Sequence, residues 1–230
     1  MRFDVVTLFP EMFPALTQWG ITGRACEQGL ASVNLWNPRD YCSDPRKTVD
    51  DRPYGGGPGM VMMAKPLEDT ISAVRAAHQT QQVQSGPICL LAPQGEVFSQ
   101  KIATDILNYG NLTFICGRYE AVDQRFIDRN VDLQLSMGDF VVSGGELPAM
   151  VCIDAITRQI SGVLHDNDSL EENRIASHEI YARPEVYEYQ GKKYKVPKVL
   201  LSGNHKEIDA WRTKKENIIG KKKSKNVSEA

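Results

Sequence analysis

The chain has 230 residues, a formal net charge of −2, and 41% hydrophobic residues. This composition is typical of an ordinary soluble globular protein with one large domain or two small ones. No apolar run approaches the roughly 20 residues needed to span a bilayer, so we expect no membrane association.

The cysteines and the first residues point to one compartment. The five cysteines are scattered and contain no C-x-x-C pair for zinc or redox chemistry. Cys89, Cys116 and Cys152 stand in apolar surroundings, as small buried hydrophobic residues do. The N-terminal residues enter a strand-like pattern without the organisation of a signal peptide. These features favour a reducing, cytoplasmic location.

Charge is unevenly distributed along the chain. Residues 171–230 contain 14 Lys and Arg against 9 Asp and Glu, so 14 − 9 = +5, and the first 170 residues carry −2 − 5 = −7. An acidic body with a basic end indicates a polyanionic partner that binds partly through the basic end. A solvated charged surface is the alternative, and charge alone does not separate the two.

The first third of the chain predicts alternating strands and helices, followed by a long loop. The predicted elements are a strand over 3–8, a helix from Pro10 to about Trp19, a helix over Ile21–Gln28 and a strand over Leu30–Trp36. The polar loop from Asn37 to Gly59 includes the run Gly55-Gly-Gly-Pro-Gly59. Loops this long are usually functional or mobile, and a flexible linker is the alternative. The loop is not a P-loop, because no Gly-Lys-Ser/Thr follows the glycines.

The alternation continues in the middle of the chain. We predict helices over 65–77, 99–109, 121–129 and 146–160, and strands over 87–92, 112–116 and 131–135, with a turn at Pro93-Gln94-Gly95. Helical crossovers favour a parallel sheet, with its binding crevice at the carboxyl ends of the strands. Gly95, Gly117 and Gly138 occupy three loops that should meet there. The Gly-x-Gly-x-x-Gly fingerprint is absent, so an ordinary Rossmann cofactor site is not supported.

The stretch from Leu135 to Met150 is the leading candidate for a ligand loop. Its glycines allow backbone turns and close approach by another group. Glu146 and Pro148 suit the first turn of the following helix. A small-molecule loop and a tight connection fit this pattern equally well.

The character of the chain changes beyond Ile160. Residues 161–170 suit a linker, and the segment that follows is poor in strand signals until a helix predicted from Lys206 to about Ile219. Asn204 and Glu207 stand at capping-box spacing before that helix. Lys221, Lys222, Lys223 and Lys225 form a basic tail that we expect to be disordered. We therefore expect domains over 1–160 and 171–230, the second mainly helical.

Several motifs occur together in one order. They are Arg52-Pro-Tyr-Gly-Gly-Gly-Pro-Gly-Met60, Leu91-Ala-Pro-Gln-Gly95, Cys116-Gly-Arg-Tyr-Glu120, Gly138-Asp-Phe-Val-Val-Ser-Gly-Gly-Glu-Leu-Pro148, Arg183-Pro-Glu-Val186 and Leu200-Leu-Ser-Gly-Asn-His205. From Val5 to about Ile219 the chain closely resembles the bacterial tRNA (guanine-N1)-methyltransferases of the SPOUT superfamily. The resemblance implies a parallel α/β domain with a deep C-terminal trefoil knot. Chain rules make knots very rare, and no sequence pattern here predicts one.

The resemblance also implies a methyl donor, a substrate and an assembly. The first domain should bind S-adenosylmethionine in the knot, and a homodimer should build each active site across its interface. The helical C-terminal domain should help to bind the anticodon arm of tRNA, whose guanine at position 37 is the target. The implied donor site comprises Leu91, Pro93, Gly95, Gly117, Tyr119, Glu120, Ser136, Met137, Gly138, Asp139, Phe140, Val141, Val142, Ser143, Gly144, Gly145 and Pro148. Glu120 is a hypothetical partner for the sulfonium or ammonium charge.

The chemistry of guanine N1 requires a base and a positive group, because N1 carries a proton and charge accumulates at O6 when that proton leaves. The resemblance assigns these roles to Asp168 and Arg158, respectively. A helix cap for Asp168 and a surface charge for Arg158 are the structural alternatives. His165, His178 and His205 are further candidate bases, although packing, capping or RNA contact suits them better.

Other expectations concern RNA contacts, a metal ion and departures from the family pattern. Candidates for contact with phosphates or the target base are Arg24, Arg52, Arg118, Arg183 and Lys214. Mg²⁺ assists the reaction in this family, but no ligand cluster identifies a site. Ala121 replaces a usual glycine, the segment from Gly162 to Asp168 is short, and Glu179 is the candidate for an acidic contact expected before Tyr181. The rival functions are methylation of a ribose 2′-hydroxyl or another base, and a non-catalytic RNA-binding scaffold.

Overall fold

The computed structural model describes residues 1–164 and 179–213. The chain divides into two compact units, Met1–His165 and Asp166–Ala230, and this division falls within the predicted linker. The elements of the first unit are β1 (Arg2–Val6), a 3-10 turn (Pro10–Met12), α1 (Pro14–Thr17), α2 (Gly20–Glu27), β2 (Ser32–Trp36), a 3-10 turn (Pro38–Tyr41), β3 (Asp50–Asp51), β4 (Val61–Met62), α3 (Ala64–Thr80), β5 (Ile88–Val97), α4 (Gln100–Leu107), β6 (Asn111–Cys116), β7 (Ala121–Val122), α5 (Gln124–Asn130), β8 (Leu133–Ser136) and α6 (Glu146–Thr157).

A five-stranded sheet in the order β2-β1-β6-β5-β8 forms the centre of this unit, and each neighbouring pair is parallel. This confirms the predicted α/β fold with a parallel sheet. Every residue of β6 is buried, as expected for a central strand covered on both faces. A small second sheet, β3-β4-β7, joins the predicted long loop to the segment that follows β6.

Apolar clusters cover both faces of the main sheet. Alternate residues of β1 supply both, since Phe3 and Val5 belong to the cluster with α2, α4 and α6, whereas Val6 belongs to the cluster with α3 and α5. Cys89 and Cys152 lie in the first cluster and are fully buried, as predicted. Burial raises the pKa of both thiols, that of Cys152 to about 12.

One buried carboxylate links several elements. Asp4 in β1 is fully buried and accepts hydrogen bonds from Arg2 Nε and Trp36 Nε1, each at 2.8 Å. The Nε2 atom of His78, near the end of α3, lies 2.8 Å from Asp4 Oδ2. A buried charge is tolerated when such partners replace its water, and these contacts fix α3 to β1 and β2.

Several predicted boundaries were wrong. The helix predicted over residues 10–19 is broken into a 3-10 turn and α1, because Pro14 cannot donate a backbone hydrogen bond and begins a new helix. Residues 121–122 pair with β4, so the helix predicted over 121–129 begins only at Gln124. The predicted helix over 146–160 ends at Thr157.

The predicted turn at residues 93–95 is an irregularity inside β5. The strand continues to Val97, and both Leu91 and Glu96 lie opposite Leu135, so the residues between them bulge out of the ladder. A Cβ on Gly95 would lie 2.5 Å from the backbone of Gln134 and Leu135. Gly95 therefore allows β5 to pass close to β8.

The second unit contains a β-hairpin that was not predicted from the sequence. Its described elements are β9 (Val186–Tyr189), β10 (Lys192–Lys195) and α7 (Lys198–Leu201), and residues 205–213 are helical. The Oδ1 atom of Asn204 accepts from the Glu207 backbone N–H at 3.4 Å, so the predicted cap is present. The rest of that predicted helix and the lysine tail lie outside the described residues. No helix in the described part of the chain is long and apolar enough to cross a membrane.

Candidate active site

A bulge within β5 and the loops that follow β6 and β8 converge and enclose a cleft of about 210 Å³. They are the bulge at residues 92–95, the segment 117–120 and the segment 137–145. Parallel α/β sheets bind their ligands at the carboxyl ends of their strands, which is where the sequence predicted a site. The predicted residues that line the cleft are Leu91, Pro93, Gly117, Tyr119, Glu120, Ser136, Met137, Phe140, Val141, Val142, Ser143, Gly144, Gly145 and Pro148.

Three predicted residues do not line this cleft. Gly95 packs against β8, whereas Gly138 and Asp139 belong to the 137–145 loop. Gly138 has a φ of +138°, and its N–H donates to Ser136 Oγ at 3.2 Å. Gly95 and Gly138 therefore shape the backbone of segments in which the adjacent residues face the cleft.

Part of the cleft lining was not predicted from the sequence. The additional residues are Leu90, Ala92, Gln94, Arg118, Ala121, Val122, Gln124, Ile127 and Leu135. The apolar residues within β5 and β8 could have indicated Leu90 and Leu135. No local signal marks Gln124, because it reaches the cleft only through the placement of α5.

Gly145 joins the ligand loop directly to the central strand. Its N–H donates to the Gly117 carbonyl at 2.9 Å, and an added Cβ would lie 2.6 Å from the Cα of Cys116. Since both neighbours are backbone, they cannot move aside as a flexible side chain can. Glycine is therefore required for the start of α6 to rest on the end of β6.

Arg118 lines the cleft and forms an ion pair with the buried Glu146. Glu146 is fully buried and accepts from Arg118 Nε at 2.8 Å and from Thr7 Oγ1 at 2.9 Å. Arg118 also donates from Nη1 to the Ser143 carbonyl at 3.1 Å, and its guanidinium carbon lies 4.5 Å from the centre of the Phe9 ring. These contacts join the ends of β1 and β6 to the ligand loop. Arg118 thus has a structural role here, and its candidate contact with RNA phosphates or the target base stays a prediction.

Tyr119 and Glu120 form the rim on the side of the long loop. Tyr119 has a φ of +60°, and its hydroxyl accepts from Arg39 Nη2 at 3.4 Å. Partial burial and a hydrogen bond with Asp50 raise the pKa of Tyr119. The Glu120 N–H donates to the Met60 carbonyl at 3.0 Å, and its exposed carboxylate forms no ion pair with a residue in 1–164 or 179–213.

Exposed apolar side chains surround the cleft mouth and continue along α6. Phe140 is 58% exposed and Val141 is 80% exposed. On α6, Leu147 and Val151 are 54% and 53% exposed, although most of the opposite face of that helix is buried. Arg158 follows on the same stripe at helical spacing and caps the end of α6. Exposed apolar side chains grouped in this way often mark an interaction site.

Comparison with known proteins identifies the family. The model of the family described as tRNA (Guanine-1)-methyltransferase TrmD matches residues 1–229. The chain belongs to this family. A protein named tRNA (guanine-N(1)-)-methyltransferase from Polynucleobacter necessarius is 69% identical over 94% of this chain and 87% of its own length. One of the same name from Janthinobacterium is 52% identical over 92% of this chain and 85% of its own length.

A solved structure agrees with this membership. The crystal structure of tRNA (m1G37) methyltransferase from Aquifex aeolicus matches with a TM-score of 0.78 and 35% identity, covering 96% of this chain and 92% of that one. A methyltransferase family implies S-adenosylmethionine as methyl donor and tRNA as substrate. Within the described residues, no group of three or more His, Cys, Asp or Glu side chains could hold a metal ion.

The remaining candidates occur in both units. Arg24 donates from Nη2 to the Val163 carbonyl at 3.3 Å, while Arg52, Arg183 and His205 are exposed. Glu179 accepts from the Tyr181 hydroxyl at 2.8 Å, and its proposed substitution for the family's acidic contact stays a prediction. The candidates Asp168, His165, His178 and Lys214 lie outside the described residues.

Proposed function

We propose that this chain transfers the methyl group of S-adenosylmethionine to N1 of the guanine at position 37 of tRNA. The observation that carries the proposal is the cleft between the β5 bulge and the loops that follow β6 and β8, in a chain that belongs to a tRNA guanine methyltransferase family. The Aquifex aeolicus relative is named for this position.

The cleft has the chemistry that the methyl donor requires. Leu91, Pro93 and Met137 offer apolar surface for the adenine ring, and glycines 117, 144 and 145 let a ligand approach the main chain. When bound, S-adenosylmethionine supplies an electrophilic methyl group on a positively charged sulfur. The carboxylate of Glu120 lines the same cleft and can offset a positive charge of the ligand.

The acceptor needs a base and a cation, and we assign them to Asp168 and Arg158. Arg158 is half-buried at the end of α6, and its guanidinium forms no ion pair with a described residue. A guanidinium with several donors and a permanent charge suits the developing charge at O6. Asp168 would accept the N1 proton as the methyl group arrives.

The proposal includes a homodimer. Leu147, Val151 and Arg158 share one stripe of α6, so a second copy that covered the apolar residues would also meet the guanidinium. Each active site would then combine residues of both copies. Binding of the anticodon arm by the second unit and assistance by Mg²⁺ complete the proposed reaction.

The trefoil knot is also part of the proposal. Gly95 lies against β8 and Gly145 against the end of β6, and such close backbone approaches suit a chain that passes through its own loops. Tracing the backbone in a crystal structure would test the knot, which requires the C-terminal part of this unit to pass through one of its own loops.

The experiment that tests the activity is methyl transfer to a tRNA transcript with guanine at position 37. A transcript with adenine at that position is the substrate control, and nuclease digestion with mass spectrometry maps the methyl group. We expect N1-methylguanine only with the first transcript. A methylated ribose, or a different base, would instead support one of the rival methyltransferase functions.

Variants test the assigned roles. Asp168→Asn should lower methyl transfer by at least about 100-fold, because a general base typically contributes 10²–10⁴-fold, while donor affinity measured by calorimetry stays within about twofold. Asp105→Asn, in an exposed pair with Lys101, is the matched control and should retain activity. Near-normal turnover of Asp168→Asn would remove Asp168 from the mechanism.

A further inference from the structure

One face of the β9–β10 hairpin carries three tyrosines and one lysine. In the antiparallel register Tyr194 lies opposite Tyr187, and Lys192 lies opposite Tyr189. Since alternate residues of a strand point to the same face, Tyr187, Tyr189, Lys192 and Tyr194 share one side. We call this side the tyrosine face.

The three rings form one contiguous aromatic surface. The Tyr187 ring centre lies 6.3 Å from that of Tyr189, with an interplanar angle of 8°, and 6.3 Å from that of Tyr194, with an angle of 37°. All three side chains remain more than half exposed, at 54–56%. A contiguous exposed aromatic surface is costly in water and indicates an interaction site.

The charge around the rings specifies the kind of partner. Residues 186–198 contain Lys192, Lys193, Lys195 and Lys198 against Glu188 alone, so 4 − 1 = +3. Glu188 lies on the opposite face, where its carboxylate is 3.8 Å from Lys193 Nζ. Hence the tyrosine face presents a cation and no carboxylate of the hairpin, which disfavours a cationic partner and favours a polyanion.

Flat rings beside positive charge are the chemistry that binds unpaired nucleotides. An aromatic ring stacks on an exposed base, whereas the bases inside a double helix already stack on one another. Lysines alone would suffice for the phosphates of a duplex. The three rings therefore distinguish a single-stranded segment from a helical stem.

We propose that the tyrosine face is a stacking platform for unpaired bases of the tRNA substrate, with Lys192 beside their phosphates. The identity of the RNA rests on the proposed function, and the stacking mode rests on the hairpin itself. The platform adds affinity for tRNA and takes no part in methyl transfer.

The test uses the full-length chain with paired substitutions on this face. Tyr187→Leu combined with Tyr194→Leu removes two aromatic rings, and Tyr187→Phe combined with Tyr194→Phe keeps them. We expect the Leu pair to raise the KM for tRNA by about tenfold or more at unchanged kcat, and the Phe pair to stay within about twofold of wild type. Lys193→Gln on the opposite face is the control and should change KM by less than about threefold.

A second measurement reports stacking directly. Transcripts carrying 2-aminopurine at single unpaired positions should lose fluorescence at one or more positions on binding the wild-type protein and the Phe pair, and should not do so with the Leu pair. Circular dichroism and donor affinity of the Leu pair should match wild type, which excludes misfolding.

Defined outcomes overturn the proposal. If the Leu pair bound tRNA with wild-type affinity, the platform would be excluded. That result is expected if the tyrosine face binds a protein or a second copy of the chain instead. Equal losses in the Phe and Leu pairs would assign the effect to the hydroxyl groups and refute stacking. If the wild-type chain quenched the probe but methylated no tRNA, the proposed function would fail while the platform stood.

Discussion

Removal of the Arg118 guanidinium should weaken both the fold and the donor site. Arg118→Leu leaves the fully buried Glu146 carboxylate with the Thr7 hydroxyl as its one remaining hydrogen-bond partner in the described residues. Breaking a buried ion pair in this way costs about 3–5 kcal/mol. Because the Arg118 side chain is 20% exposed, its pair is not fully desolvated, and we expect a loss at the lower end, about 3 kcal/mol.

Removal of Glu146, alone or together with Arg118, should destabilise the protein less than Arg118→Leu does. In Glu146→Leu the remaining guanidinium can turn toward water through its exposed part, so we expect a loss of about 2 kcal/mol. The double variant buries no unpaired charge and should be more stable than Arg118→Leu alone. Arg118→Leu and the double variant remove the donor of the hydrogen bond to the Ser143 carbonyl, and Glu146→Leu removes the carboxylate that orients this donor. Affinity for S-adenosylmethionine should therefore fall about tenfold in all three variants.

Urea unfolding followed by circular dichroism measures the stability terms, and calorimetry measures donor affinity. Arg125→Leu is the matched control, because its pair with Asp123 lies at the surface and should contribute less than about 1 kcal/mol. The reasoning is refuted if Arg118→Leu unfolds within about 0.5 kcal/mol of wild type, or if the double variant is less stable than Arg118→Leu.

Three further predictions follow from packing, titration and buried charge. Gly145→Ala should lose about 2–3 kcal/mol in urea unfolding, because the new Cβ meets the backbone of Cys116 at 2.6 Å, whereas Gly117→Ala meets its neighbours no closer than 3.4 Å and should lose clearly less. Because burial raises the pKa of Cys152 to about 12, the folded chain keeps the thiol proton at a pH where the unfolded chain loses it. The contribution of this thiol to stability is therefore complete below pH 9.0 and disappears as the pH rises toward about 12. In that window, free energies of unfolding for wild type should fall more steeply than for Cys152→Ala by about 1.4 kcal/mol per pH unit, and equal slopes would contradict the assignment. Asp4→Leu should cost about 3–5 kcal/mol in thermal or urea unfolding because it leaves buried donors without their acceptor, and a loss below about 1 kcal/mol would show that Asp4 does not anchor β1.

Patterns of neighbouring residues predicted the buried strands and the helix cap at Asn204. The apolar runs before Ala92 and Gly117 indicated buried strands, and β5 and β6 contain them. The cap at Asn204 could be predicted because the hydrogen bond joins residues three apart. The β9–β10 hairpin also had a local signal, since Gln190 and Gly191, with φ of +52° and +72°, form a two-residue turn between alternating tyrosines. The segment was instead interpreted as poor in strand signals.

Tertiary contacts decided the features that were predicted wrongly. Residues 93–95 have the composition of a turn, yet pairing on both sides with β8 keeps them inside β5 as a bulge. Likewise Ala121 and Val122 have helical neighbours but pair with β4, a strand distant in the chain. The ion pair of Arg118 could not be predicted locally, because only the fold brings the buried Glu146 to it.

By itself, the sequence determined the alternation of strands and helices, the glycine-containing loops at the strand ends and, through its motifs, the family. Those features depend on residues close together in the chain, on side-chain volume and on backbone freedom. Only the tertiary structure decided the order of the strands, the depth of the cleft and the pairs Arg118–Glu146 and His78–Asp4. Such contacts join residues 28 and 74 positions apart, and no local preference specifies which distant partner a buried charge will meet.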